Sequence, residues 1–427
     1  MTPNPIHGAP SLSPNPYWRL VQSNRNFRLL WAAQIVSLLG DWFNFIATAA
    51  LIAQLSGSGL AIGALITVRM VAPFLVSPIA GVVADRFDRK WILIGSDVSR
   101  AVVVLGFLLV HEPAQVPFLY LLTALQLGLS GFFYPARTAL LPSIVAPNEI
   151  GVANTLNAAT WSVMLALGAG IGGLVSGLFG VYPAFILDSL TFLVSVLFLL
   201  PIRPSLRVPG TASAGAPRLG GVALFVEGLN YLRHRRLVLA TVLHKAAVSL
   251  FISAGFQIVQ IEIARDVFPM GEAGGISLGL MFAATGVGTG VGPILARRIT
   301  GDSARLLSWA IVVGYALASL GLILTAPLGN FPAVVAAIFL RSLGGGIVWV
   351  FSTQLLLQVV PNRILGRVFG TEFGIFTLAG AFSAVITGWA VDTPLGLRGT
   401  TLWLGLLTLL PMVAWILVQR RLRQTIE

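Results

Sequence analysis

The chain has no cysteine and very little charge, and each absence narrows what it can be. Without a cysteine in 427 residues there is no disulfide framework, no thiolate metal site and no thiol nucleophile. Charged residues make up 10% of the chain, against about 25% in a soluble domain. Acids are the scarcer sign, with 15 Asp and Glu against 27 Lys and Arg and a net charge of +12. The four histidines, His7, His111, His234 and His244, are scattered with no ligand spacing. A phosphate-cradling G-x-x-x-x-G-K-[ST] loop is also missing, so nucleotide hydrolysis is not the expected energy source. With no metal constellation, nucleophile pair or cofactor loop in view, the sequence points to neither an enzyme nor a cofactor or metal binder.

What remains is apolar. Hydrophobic residues make up 56% of the chain and the mean hydropathy is +0.89. A helix needs about 20 mostly apolar residues to cross the hydrocarbon core. Such runs occur at 29–51, 60–82, 91–110, 116–134, 156–179 and 181–200, then at 237–259, 276–296, 306–328, 331–355, 368–391 and 400–418. Barrel strands need only about ten alternating residues, so run length selects helices. The expectation is an all-α membrane protein with twelve transmembrane helices.

Basic residues orient the spans. With the N-terminus inside, 21 of the 27 Lys and Arg fall in cytoplasmic segments, and only Arg265 and Arg398 fall opposite. This is a strong positive-inside bias, and it places both termini in the cytoplasm of a multi-pass cell-membrane protein. It also removes the net charge as an argument for nucleic acid. The basic residues are spread over seven segments rather than one patch, and attraction to anionic lipid headgroups accounts for them.

The chain divides once. Residues 1–25 are rich in Pro, Asn and Ser and read as a cytoplasmic tail. A six-helix bundle at 26–200 and another at 237–419 flank a linker at 201–236, and 420–427 form a second tail. Residues 201–221 of the linker are polar and proline-rich, while 222–232 repeat apolar residues at roughly helical spacing and read as a short interfacial helix. The halves are weak repeats: at an offset of 211, Gly81 corresponds to Gly292 and Arg86 to Arg297, and Pro147-Asn148 recurs as Pro361-Asn362. Parallel six-span repeats are one recurring transporter layout.

One turn carries a motif. Gly81-Val82-Val83-Ala84-Asp85-Arg86-Phe87-Asp88-Arg89-Lys90 joins the second and third runs with five charges and a glycine. It resembles the G-x-x-x-D-R-x-x-R-K signature of the major facilitator superfamily, with Asp88 where the usual glycine stands. That variant is most similar to the family's drug, macrolide and siderophore exporters. In the fifth run, Gly168-Ala169-Gly170-Ile171-Gly172-Gly173 resembles the G-P-x-x-G-G antiporter motif with Ala169 in place of proline. Residue by residue, Gly168, Gly172 and Gly173 are expected to form a helix-packing face. The resemblance implies alternating access, and a cytoplasmic gate in which Asp85 docks at the start of span 11 beside Arg367. The gate set read here is Gly81, Asp85, Arg86, Arg89, Lys90, Asp97, Arg100, Arg367 and Glu372.

Charges inside spans are costly, about 3 kcal/mol each on insertion scales, and face a cavity or a partner. Asp41 in span 1 and Arg69 in span 2 both fall near mid-membrane and could pair, which makes them the proton-coupling candidates. Asp97 and Arg100 share one face of span 3. Asp188 in span 6 is a weaker case. Lys245 and Arg341 lie deep on spans 7 and 10, which in the resembled fold line the central cavity, so they are the substrate-cavity candidates. The expected activity is proton-coupled export of an amphipathic small molecule by a lipid-embedded monomer. A lipid translocase or a metal exporter on the same fold, or a non-transporting membrane receptor or scaffold, are the competing readings.

Overall fold

The computed structural model describes residues 16–203 and 221–424. Both tails' outer parts and residues 204–220 of the 201–236 linker therefore lie outside the described residues. Among the described residues, twelve helices are long and apolar enough to cross a membrane. Spans 1 to 6 are Arg25–Ser56, Gly59–Ser77, Arg89–Leu109, Pro113–Ser143, Ile150–Phe179 and Val181–Leu199. Spans 7 to 12 are Leu237–Val267, Glu272–Thr300, Ala304–Thr325, Phe331–Val359, Ile364–Val391 and Gly396–Arg420. No strand occurs among the described residues. A further helix, Gly221–Arg233, precedes span 7 and packs on span 11.

Several spans run longer than their apolar cores because side chains satisfy the helix ends. Asn24 accepts from the Phe27 amide and Asn330 from the Ala333 amide, each at 2.9 Å, which satisfies a donor that the first turn leaves free. Span 1 ends where Gly57 turns left-handed at φ 61°. The helix of span 2 continues to Arg86. Span 4 carries Pro135 inside its helix and runs on to Leu140, rather than ending at the proline. Span 7 is interrupted by two π-helical segments, Val248–Ser253 and Ile263–Val267.

The two sets of six spans repeat one contact pattern. Span 4 packs on spans 2 and 3, as span 10 packs on spans 8 and 9; span 1 packs on span 5, as span 7 packs on span 11. Between the sets, span 5 meets span 8 and span 2 meets span 11. Glycine sets the closeness of these two seams. A methyl group on Gly173 would fall 2.5 Å from the Gly279 Cα and 2.6 Å from the Gly275 carbonyl oxygen. One on Gly63 would fall 2.5 Å from the Ala384 carbonyl oxygen, and one on Gly59 2.9 Å from that of Gly388. In lipid, where no hydrophobic drive brings helices together, such backbone contact is what holds them. Gly172 and Gly168 instead pack on Trp42 of span 1.

Candidate functional site

Span 3 places Asp97 and Arg100 three residues apart, so both project from one face. Arg100 is 1% exposed and forms ion pairs with Asp97 at 3.3 Å and with Asp41 of span 1. Its Nη1 also donates to the Ser37 hydroxyl at 3.3 Å, and its guanidinium lies 4.0 Å above the Phe192 ring. Asp97 is fully buried and accepts from the Ser195 hydroxyl at 2.6 Å. Asp188, two turns from Ser195 along span 6, accepts from the Gln126 amide of span 4 at 3.4 Å. Asp41 is the member with access to its surroundings, with 27% of its side chain exposed.

This arrangement corrects the expected Asp41–Arg69 pair. Arg69 sits 4.1 Å above the ring of Phe45, four residues further along span 1. It makes no ion pair with Asp41, although it acts on that carboxylate electrostatically, and Arg100 reaches across from span 3 to form the pair. Asp97 and Arg100, expected in the gate set, have their described partners on spans 1, 3 and 6. They belong to this buried cluster.

The second set of spans handles its charges differently. Lys245 pairs with Glu372 at 2.7 Å, with its ammonium 4.9 Å from the Trp349 ring. Glu372, expected in the gate, and Lys245, expected at the substrate, are thus each other's partner in this structure. Arg341 is 3% exposed and donates to the Ile252 carbonyl at 2.5 Å, to Ser342 at 3.0 Å and to Thr285 at 3.2 Å, beneath the Phe256 ring. It therefore faces the interior of its own set of spans rather than an open cavity. The Ile252 carbonyl belongs to the first π segment, and the neighbouring Leu250 carbonyl accepts from Ser383 of span 11 at 2.6 Å. A π segment leaves helix carbonyls without their usual partners and often marks a working position. Here spans 10 and 11 supply the missing donors.

At the signature-loop end, Asp88 caps span 3 by accepting from the Lys90 amide at 2.9 Å. A capping acid is a physical reason for aspartate where glycine is usual. Arg89 donates to the Ala139 carbonyl at 2.8 Å and Lys90 to the Leu200 carbonyl at 2.6 Å. These cations sit at the carbonyl ends of spans 4 and 6, where the helix dipole favours positive charge. Arg86 is exposed. Gly81 and Asp85 lie outside the residues whose side chains are described. Arg367 pairs with Glu227 of the Gly221–Arg233 helix, a partner the sequence reading did not consider.

The opposite end is joined across the two sets. Asp392, just past span 11, accepts from the Ser58 hydroxyl at 2.7 Å and from the Gly59 and Leu60 amides at 2.7 and 2.9 Å. A carboxylate on the first turn of span 2 meets free amides and the positive end of the dipole. Beside it Arg265 pairs with Glu262 and Asp266 and donates to the Ala53 carbonyl of span 1 at 3.2 Å. Toward the signature-loop end, Gly151, Gly366 and Gly370 face open space. Asp392 was not singled out from sequence. The signal was present in Ser58-Gly59, a cap position at the start of a span.

Comparison with known proteins agrees with this geometry. The profile described as Major Facilitator Superfamily matches residues 30–371. An uncharacterized MFS-type transporter, YfiS of Bacillus subtilis, is 27% identical over 84% of this chain and 85% of its own. The putative bacilysin exporter BacE of Bacillus amyloliquefaciens is 27% identical over 82% and 84%. The enterobactin exporter EntS of Shigella boydii is 25% identical over 95% of both chains. Among solved structures, a bacterial homologue of the lysosomal transporter Spinster, in an inward-facing and unoccupied conformation, superposes with a TM-score of 0.75 at 16% identity, covering 96% of this chain and 98% of that one.

Proposed function

Because the chain belongs to the Major Facilitator Superfamily and is a multi-pass membrane transporter rather than an enzyme, we propose that it exports amphipathic small molecules against their gradient, driven by protons. Two relatives carry exporter names, a putative bacilysin exporter and an enterobactin exporter, which supports a small molecule with both polar and apolar faces as the substrate class. The observation that carries proton coupling is the buried Asp41–Arg100–Asp97 triad. Asp41 is its exposed member and its ion pair is the one a proton can reach.

Protonating Asp41 would cancel the charge that holds Arg100 between spans 1 and 3, and leave the guanidinium to Asp97 alone. A protonation event thus becomes a change in which helices are tied together, which is what biasing a two-state transporter requires. Two six-span units rocking about the span 2–11 and 5–8 seams would supply the two states. Lys and Arg placement puts both termini and the linker in the cytoplasm, so the Asp392 end faces outward in a monomer of the inner membrane. The state described here is then closed outside.

The test is transport. Inside-out vesicles given a pH gradient and a metabolite extract should accumulate at least one compound, identified by mass spectrometry. Asp41→Asn vesicles should bind that compound but not concentrate it. Uphill accumulation by Asp41→Asn would make Asp41 a structural partner of Arg100 and place coupling elsewhere.

A further inference from the structure

The buried cluster holds one acid more than its bases can balance. Asp41, Asp97 and Asp188 lie within electrostatic range of Arg100 and of one another. Arg69 of span 2 also acts on Asp41. Three carboxyls thus share two guanidiniums. Span 4 offers only the Gln126 amide, span 5 has no titratable side chain between 150 and 179, and span 6 adds only Tyr182 toward its far end. Arg137 lies three turns further along span 4, and among the described residues Arg100 is the cation acting on Asp97 and Asp188. An uncompensated carboxylate at that depth is too costly to persist, and the group takes a proton instead.

Hydrogen bonding says which carboxyl. Asp41 holds the Arg100 ion pair, and Asp97 holds both Arg100 and the Ser195 hydroxyl. Asp188 has neither, only the long contact from Gln126 and the neutral amide of Asn44 on span 1. Its Oδ1 has no partner and no solvent, and the residue is 0% exposed. The Oε1 of Gln126 is likewise buried without a partner. The Asn44 amide is one unpartnered donor beside these two unpartnered acceptors; a carboxylic acid supplies the second, and a turned Gln126 amide would present its oxygen to receive it. Which way a side-chain amide points is settled by such bonding. Gly40 makes the room: any side chain there would run into the Asp188 carboxyl and Thr191.

We propose that Asp188 is a proton-binding site, holding one proton while Asp41 and Asp97 are ionised in the state closed at the Asp392 end. The site deepens the proton-coupled reading, since its proton makes the cluster neutral around Arg100 before Asp41 is touched. If Arg100 turns toward span 6 in the other state, Asp188 can release that proton as a carboxylate paired with the guanidinium.

Infrared spectroscopy of the full chain in lipid reads this directly. At neutral pH the protein should show the carbonyl stretch of a buried carboxylic acid. Uniform labelling of aspartate carboxyl carbons with ¹³C should move that band without any substitution. Asp188→Asn, nearly isosteric with the protonated acid, should abolish the band and melt close to the unsubstituted protein. A spectrum with no label-sensitive acid band at neutral pH would overturn the proposal, and so would a band that survives in Asp188→Asn. Vesicle pumping is separate: failure to pump would remove the coupling reading with the band still present, whereas a missing band removes this site whatever the vesicles do.

Discussion

The two sets of six spans share a contact pattern but treat buried charge in opposite ways. In the first, one guanidinium on span 3 gathers carboxyls from spans 1, 3 and 6. In the second, Lys245 and Glu372 neutralise each other, and Arg341 has no carboxylate but a set of oxygens from hydroxyls and a π-segment carbonyl. A proton can alter the first set's ties because its partners are acids competing for one base. It changes little around Arg341, whose partners hold no titratable group. On the reading proposed above, ion handling at mid-membrane falls to the first set and fixed scaffolding to the second, whose own two-acid group, Glu262 and Asp266 on Arg265, lies at the Asp392 end.

Arg100→Met is the strongest way to break that contrast. It leaves Asp41 and Asp97 without their base, and losing one partner of a buried pair costs about 3–5 kcal/mol. Melting in detergent should fall sharply, and adding Asp97→Asn should recover part of the loss by removing one orphaned acid. Arg341→Met should be milder. It orphans only the Ile252 carbonyl, a desolvation cost of about 1–3 kcal/mol, and its melting point should not depend on pH differently from the parent. If Arg341→Met were the more damaging change, or if its stability became pH-dependent, the division of labour between the two sets would be reversed.

Much of this was legible in the sequence. Twelve apolar runs gave the spans, since span length is set by the bilayer and needs no knowledge of neighbours. The signature loop gave the family, and intramembrane Asp41, Asp97, Arg100, Lys245 and Arg341 stood out because such residues are rare at depth. Their partners were not legible, because a pairing depends on which way each helix faces. Asp41 could be placed in depth beside Arg69, but the turn of helix that gives Arg69 to Phe45 instead is a packing fact. Asp188 looked peripheral because nothing in span 6 announces that Gly40 opens span 1 to it. The π segment at Val248–Ser253 contains neither proline nor glycine, so no local breaker signals it. Its cause lies in the donors that Arg341 and Ser383 bring from other helices.

The finest test of the comparison is the Lys245–Glu372 pair. If the second set's charges are scaffolding, the pair should be replaceable by shape. Removing one member leaves a charge in a site where the Lys245 and Glu372 side chains are 11% and 2% exposed, so Lys245→Met alone should cost about 3–5 kcal/mol. Glu372→Gln alone should cost somewhat less, because the amide oxygen it introduces can still accept from the Lys245 ammonium. The double variant Lys245→Met/Glu372→Gln should return to within about 1 kcal/mol of the parent, since replacing a whole buried pair by uncharged groups of similar volume is often neutral. Transport rate in the double variant should follow its stability and keep the parent's pH profile. A double variant that is stable but shifts that profile would show the pair exchanging protons, and the second set would then share the coupling now assigned to Asp41 and Arg100.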